Sequence, residues 1–203
     1  MSQPQFKEMR RAYGFDDVAI VPGGTHTINP ALVELSLDIA QHHFDLPFVA
    51  AAMDGVVDVR MAIEFSKLGG MAVLNLEGVQ TRYDDPDSVL KEIAQAPRDE
   101  VTSLMQKIYS TPIKEYLIGE RVRQIKQGGG FAAVSATPPH TKKFAALAKE
   151  AGVDAFVVQS TVTSARHIST SERGLIFHEL VERMGDTPVI VGNTVTFAAT
   201  KEL

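Results

Sequence analysis

Five near-continuous apolar runs divide this chain, and each leads through a turn into a stretch of helical periodicity. They cover residues 46–53, 71–77, 131–137, 154–161 and 188–194. A strand with one wet face alternates apolar and polar residues, whereas a strand buried on both faces reads as an unbroken apolar run, as in an all-parallel sheet. Such strands separated by helices form βαβ units.

The intervening stretches carry helix signals. Asp58 is placed to cap a helix bearing Ala62, Ile63, Phe65 and Leu68, which Gly69-Gly70 ends. Pro86 sits at a first helical position, ahead of Val89, Leu90, Ile93 and Ala94, and Pro97 stops that helix. Val101, Leu104, Met105 and Ile108 form a further stripe. Ile113, Leu117 and Ile125 form the next one, with Arg121 as its polar member. Thr141 opens a helix through Phe144, Leu147, Ala148 and Ala151, closed by Gly152. Phe177, Leu180, Val181 and Met184 mark another, and a last helix begins at Phe197.

Two architectures satisfy this order, a doubly wound sheet and a (β/α)8 barrel. A complete barrel takes about 250 residues. Five strands in 203 residues, with the covering helix of the last strand barely begun, lead us to expect a parallel (β/α)8 TIM barrel truncated after about five strands. No repeat, linker or low-complexity tract appears, so residues 1–203 are read as one partial barrel domain.

Composition narrows the function. The net charge is -5 and no Lys/Arg-rich run occurs, which argues against nucleic acid as a partner. The absence of cysteine excludes disulfides, thiolate metal sites and a thiol nucleophile within these residues. The first residues lack the apolar segment of a signal peptide, and no run has the length of a membrane span, so no membrane partner and a cytoplasmic location are expected.

Gly69-Gly70 and Gly128-Gly129-Gly130 lead from helix into strand, the reverse of a phosphate loop, and are read as turns. The six histidines are scattered; His42 and His43, as neighbours, do not share a face, and no metal site is expected. Asp16-Asp17 and Asp84-Asp85 suit capping or turn roles. The strand ends are richer. Ligands of barrels and open α/β sheets bind beyond the C-terminal ends of the strands. There the sequence places Ala52-Met53-Asp54-Gly55, Asn75-Leu76-Glu77, Ser135-Ala136-Thr137, Gln159-Ser160-Thr161 and Gly192-Asn193-Thr194, a small and polar set with one Met, suited to a polar small molecule.

At these residues the chain resembles the IMP dehydrogenase/GMP reductase family. YGFDDVAIVPGGT at 13–25 is similar to that family's N-terminal signature, LPFVAAAMDGVVD at 46–58 to its first barrel strand and Met-Asp loop, and KLGGMAVLNLEG at 67–78 to its second strand. VDAFVVQST and VIVGNTVT follow in family order. The resemblance implies NAD-dependent oxidation of IMP to XMP, with NAD as cofactor, a purine nucleotide as ligand and a homo-tetramer as the assembled form. Reduction of GMP, or a non-catalytic nucleotide-binding or assembly role, are the alternatives. By position, Met53 would pack on the hypoxanthine ring, Asn193 would lie beside the substrate, and Gln159, Ser160 and Thr161 would lie near the cofactor ribose. The family's catalytic cysteine belongs to a later loop, so none of these residues is expected to be catalytic and the chain alone is expected to be inactive.

The departures lie at the same places. Ala51-Ala52 replaces the hydroxyl residue and proline before Met-Asp, Asn75-Leu76 a basic pair, and Gln159 the acid at the nicotinamide ribose. Residues 98–130 are too few for a CBS-domain pair, which matches the CBS-less IMP dehydrogenase-related branch.

Overall fold

A computed structural model describes residues 11, 13–24, 29–164 and 174–203. The chain divides into two compact units, Met1–Glu34 and Leu35–Leu203. In the first, two single 3-10 turns are closed by their own side chains. Asp17 accepts from the Gly14 N–H at 2.9 Å, and Asn29 from the Ala31 N–H at 3.0 Å. Thr25, the last residue of the N-terminal signature, lies outside the described residues, as do His26 and His167.

The second unit begins with an antiparallel hairpin, β1 (Leu37–Ile39) and β2 (His42–Phe44). Then follow β3 (Val49–Ala50), α1 (Val59–Lys67), β4 (Met71–Asn75), α2 (Val79–Arg82), α3 (Pro86–Gln95), α4 (Val101–Ser110) and α5 (Glu115–Gln127). The last elements are β5 (Ala133–Ala136), α6 (Pro138–Glu150), β6 (Ala155–Gln159), α7 (Phe177–Met184), β7 (Val189–Gly192) and α8 (Phe197–Glu202).

Strands β3 to β7 form one parallel sheet in strictly sequential order. A doubly wound sheet reverses direction at a switch point and carries helices on both faces; this sheet does neither. Ala72, Leu74, Val134, Phe156 and Val158 point to one face and pack against Ala62, Ile118, Val122, Phe144, Leu180 and Met184 of the helices. The alternate residues Met71, Val73, Ala133 and Ala155 point to the other face, where Phe44 of the hairpin and Phe131 cover them. Phe44 and Phe131 meet edge-on with ring centroids 5.0 Å apart. The result is an α/β half-barrel, and its two-sided burial is the reason the strands read as unbroken apolar runs.

Local chemistry sets the boundaries. Asp58 accepts from the Met61 N–H at 2.6 Å and starts α1; Asp85 accepts from the Ser88 N–H at 3.2 Å and starts α3 ahead of Pro86. Both glycine runs are turns from helix to strand, with Gly69 and Gly129 at φ +85° and +78°. Thr141 does not open α6. The helix starts one turn earlier, with Thr137 as N-cap and Pro138 in the first turn, where a missing N–H costs nothing. The strands are shorter than their apolar runs because ladder pairing ends where the chain turns toward the next helix; β3, at the sheet edge, keeps only two residues.

Candidate functional site

The C-terminal ends of β4 to β7 and the turn after β3 surround a pocket of about 390 Å³. Its wall consists of Ala52, Asn75, Glu77, Ser135, Ala136, Thr137, Gln159, Ser160, Thr161 and Asn193. Parallel pairing places these ends side by side: Asn75 lies opposite Ser135, and Gln159 opposite Gly192. Backbone bonds continue past the ladder. The Ser160 N–H donates to Gly192 O at 2.8 Å, the Asn193 N–H to Ser160 O at 2.9 Å, and the Thr163 N–H to Asn193 O at 2.8 Å. The Thr163 hydroxyl adds a bond to Gly192 O at 2.9 Å. The two loops that carry Ser160 and Asn193 are therefore fixed to one another before any ligand arrives.

Of the residues expected at the site, Gln159, Ser160, Thr161 and Asn193 come together in this wall. Met53 does not line it. It sits in the turn after β3, 56% exposed, with its N–H donating to Ala51 O, and Ala52 forms the wall on that side.

Three further residues, Glu77, Thr137 and His140, were assigned no individual role from the sequence. Glu77 Oε1 accepts from the Thr137 hydroxyl at 2.7 Å, from the Thr137 N–H at 3.3 Å and from His140 Nδ1. The Thr137 hydroxyl is thus spent on Glu77 instead of capping its own helix. The His140 ring stacks on Phe144, centroids 5.2 Å apart and planes 9° from parallel. Glu77 and Thr137 were visible as strand-end residues, but their joining spans 60 positions, which no local pattern encodes.

The turn after β3 is fastened from below. Asp54 Oδ2 accepts from the Val79 N–H at 2.8 Å and from the Tyr109 hydroxyl, so a loop residue caps α2. Burial, and then the bond to Asp54, push the Tyr109 phenol well above its ordinary range. At the other end of α2, the buried Arg121 guanidinium donates to Gln80 O at 2.8 Å, Tyr83 O at 3.0 Å and Asp84 O at 3.2 Å. Asp84 itself is held by Lys114 and Tyr116, and those bonds lower its pKa. The polar member of the α5 stripe is therefore a cation facing the negative end of a short helix.

Among the described residues no group of three or more His, Asp or Glu is placed to hold a metal ion. A more apolar groove of about 460 Å³ lies between α6 and α7, lined by Ala145, Leu180 and Met184 among others, and it lies outside the sheet, away from the strand ends. The strand-end pocket instead offers hydroxyls, amides, carbonyls and one carboxylate, the donor set of a site for a polar ligand with hydroxyl and amide edges.

The sequence model of the IMP dehydrogenase / GMP reductase domain matches residues 12–203. The chain belongs to the IMP dehydrogenase/GMP reductase family. An IMP dehydrogenase/GMP reductase-like protein from Corynebacterium glutamicum superposes with a TM-score of 0.85 at 28% identity, over 97% of this chain and 52% of that one. An uncharacterized oxidoreductase of Mycolicibacterium smegmatis is 28% identical over 191 residues, 92% of this chain and 50% of that protein. An inosine-5'-monophosphate dehydrogenase of Methanocaldococcus jannaschii is 40% identical over 68 residues, 34% of this chain and 14% of that protein. The chain thus spans about half the length of the relatives it matches over most of its length. No described helix is long and apolar enough to cross a membrane.

Proposed function

We propose that this chain supplies the nucleotide-binding half of an oxidoreductase that converts IMP to XMP with NAD, within a single (β/α)8 barrel domain that lacks a CBS insertion and assembles as a homo-tetramer. One observation carries the reading. The polar pocket lies beyond the C-terminal ends of sequential parallel strands, where barrels of every chemistry bind their ligands, in a chain of this family.

In this reading Asn193 hydrogen-bonds the purine nucleotide and Met53 swings over the base from its exposed position. Gln159, Ser160 and Thr161 face the cofactor ribose. The donor set suits that group: Gln159 is exposed at its strand end, and the one bond of the Ser160 hydroxyl among the described residues is long, 3.2 Å to Val162 O, and a ligand oxygen can replace it. Bound NAD supplies the hydride acceptor. The residues of this chain orient the purine toward it and, through the loops joined at Ser160 and Asn193, hold the two ligands in fixed relation. No cysteine is present, so the covalent step of the family falls outside these residues and the 203-residue chain alone forms no product.

The test is turnover by the full-length protein with IMP and NAD, followed as NADH formation. Turnover supports the reading. Turnover of GMP with NADPH instead replaces it with the reductase reading, and tight nucleotide binding without turnover of either replaces it with a binding protein. NADH formation at an enzymatic rate by the 203-residue chain itself would show that the chemistry lies within it.

A further inference from the structure

Glu77 is the only charged side chain in the pocket wall among the described residues. Its side chain is 17% exposed, and its two carboxylate oxygens are used differently. Oε1 takes all three bonds, two from Thr137 and one from His140. Oε2 has no protein partner among the described residues, and it is not among the buried unpartnered atoms, so solvent or a ligand in the pocket reaches it. A carboxylate pinned through one oxygen and open through the other is a preoriented acceptor. With no Lys or Arg in the wall among the described residues, the carboxylate favours a neutral group that donates hydrogen bonds over a phosphate.

Ribose hydroxyls are such donors, and dinucleotide sites use an acid to hold them. At the end of β6 that acid is absent, because Gln159 stands there. We infer that Glu77 is the ribose-binding, specificity-determining residue of this pocket, supplying from the end of β4 the carboxylate that Gln159 does not provide. Thr137 and His140 are its positioning residues. The Thr137 hydroxyl and N–H fix one oxygen, and the His140 ring is itself held flat against Phe144. The inference rests on the nucleotide-binding reading and adds to it which residue reads the sugar. The same chemistry is carried by the ribose of the substrate and by that of the cofactor, and the experiment separates them.

Dissociation constants of the full-length protein are measured for IMP, for its 2′-deoxy and 3′-deoxy analogues, and for NAD, with wild type and Glu77→Gln. The inference predicts that Glu77→Gln weakens one ribose-bearing ligand by about tenfold to a hundredfold, the range for a hydrogen bond to a charged acceptor. Weakening of IMP assigns the substrate ribose, and weakening of NAD the cofactor ribose. In the first case one deoxy analogue binds wild type more weakly by a similar factor, and the variant no longer distinguishes it from IMP. Thr137→Val, which loosens the carboxylate without removing it, gives a smaller loss in the same ligand. Unchanged affinity for both ligands in a folded Glu77→Gln protein overturns the inference alone. Should that variant fail to fold, Thr137→Val decides: an unchanged affinity for both ligands also overturns it. Binding of neither ligand by wild type overturns the nucleotide reading and this inference with it.

Discussion

Gly78→Ala places one methyl group where the structure has no room. A Cβ at Gly78 would lie 1.9 Å from Asp54 Oδ1 and 2.4 Å from Oδ2, while the backbone there, φ -95° and ψ -162°, suits any residue. The cost is therefore steric and falls on Asp54, which must rotate away from the Val79 N–H and the Tyr109 hydroxyl. Each is a hydrogen bond to a charged acceptor, contributing about 1.5–3 kcal/mol. Asp54 recovers part of this by meeting water, and the stiffer unfolded chain of the alanine variant returns about 0.4–1 kcal/mol. The net expectation is a loss of about 2–4 kcal/mol. Urea unfolding of wild type, Gly78→Ala, Asp54→Ala and the double variant measures it. With the carboxylate removed, the methyl group has space, and Gly78→Ala in the Asp54→Ala background should no longer destabilise but should return about 0.4–1 kcal/mol. Equal costs in both backgrounds would refute the proposition that Asp54 fills the space over Gly78.

Three other outcomes follow from the same scaffold. Tyr109 holds its proton more tightly when folded, so above about pH 10, where the unfolded phenol ionises, stability should fall as pH rises; Tyr109→Phe should reduce that alkaline slope in pH-dependent melts. Arg121→Ala removes the donors to three carbonyls at the end of α2 and should cost about 2–4 kcal/mol, with Arg121→Lys recovering only part because an ammonium cannot span that fork; denaturant midpoints decide it. Phe156→Ala empties the centre of the sheet–helix layer and should cost about 3–5 kcal/mol, whereas Val181→Ala, half exposed on α7, should stay within about 0.5 kcal/mol in the same assay.

The parallel sheet was legible because two-sided burial writes itself into the sequence as unbroken apolar runs, and the pocket was legible because such sheets bind at one end. What was hidden depends on weaker or longer-range physics. The β1–β2 hairpin turns through Ala40-Gln41, with Ala40 at φ 53° and without the Gly or Asn that tight hairpins usually advertise. At four residues, α2 is too short to show a period, and it is held by Asp54 and Arg121 from elsewhere in the chain. Pro138-Pro139 reads as an interruption, yet a first turn has no use for the N–H groups that proline lacks, so α6 starts there and not at Thr141. Gln159, Ser160, Thr161 and Asn193 converge because each ends or directly follows a strand. Met53 follows one too, but its turn leaves it exposed and outside the pocket wall.

The central claim is that the strand-end pocket is where a purine nucleotide binds. Calorimetric titration of IMP into the full-length protein tests it most directly when wild type is compared with Asn193→Ala at the strand ends and Leu180→Ala at the α6–α7 groove. Asn193→Ala should lose about tenfold in affinity, and folded Leu180→Ala should keep the wild-type dissociation constant. Unchanged affinity in Asn193→Ala together with lost affinity in Leu180→Ala would place the nucleotide outside the sheet and contradict it.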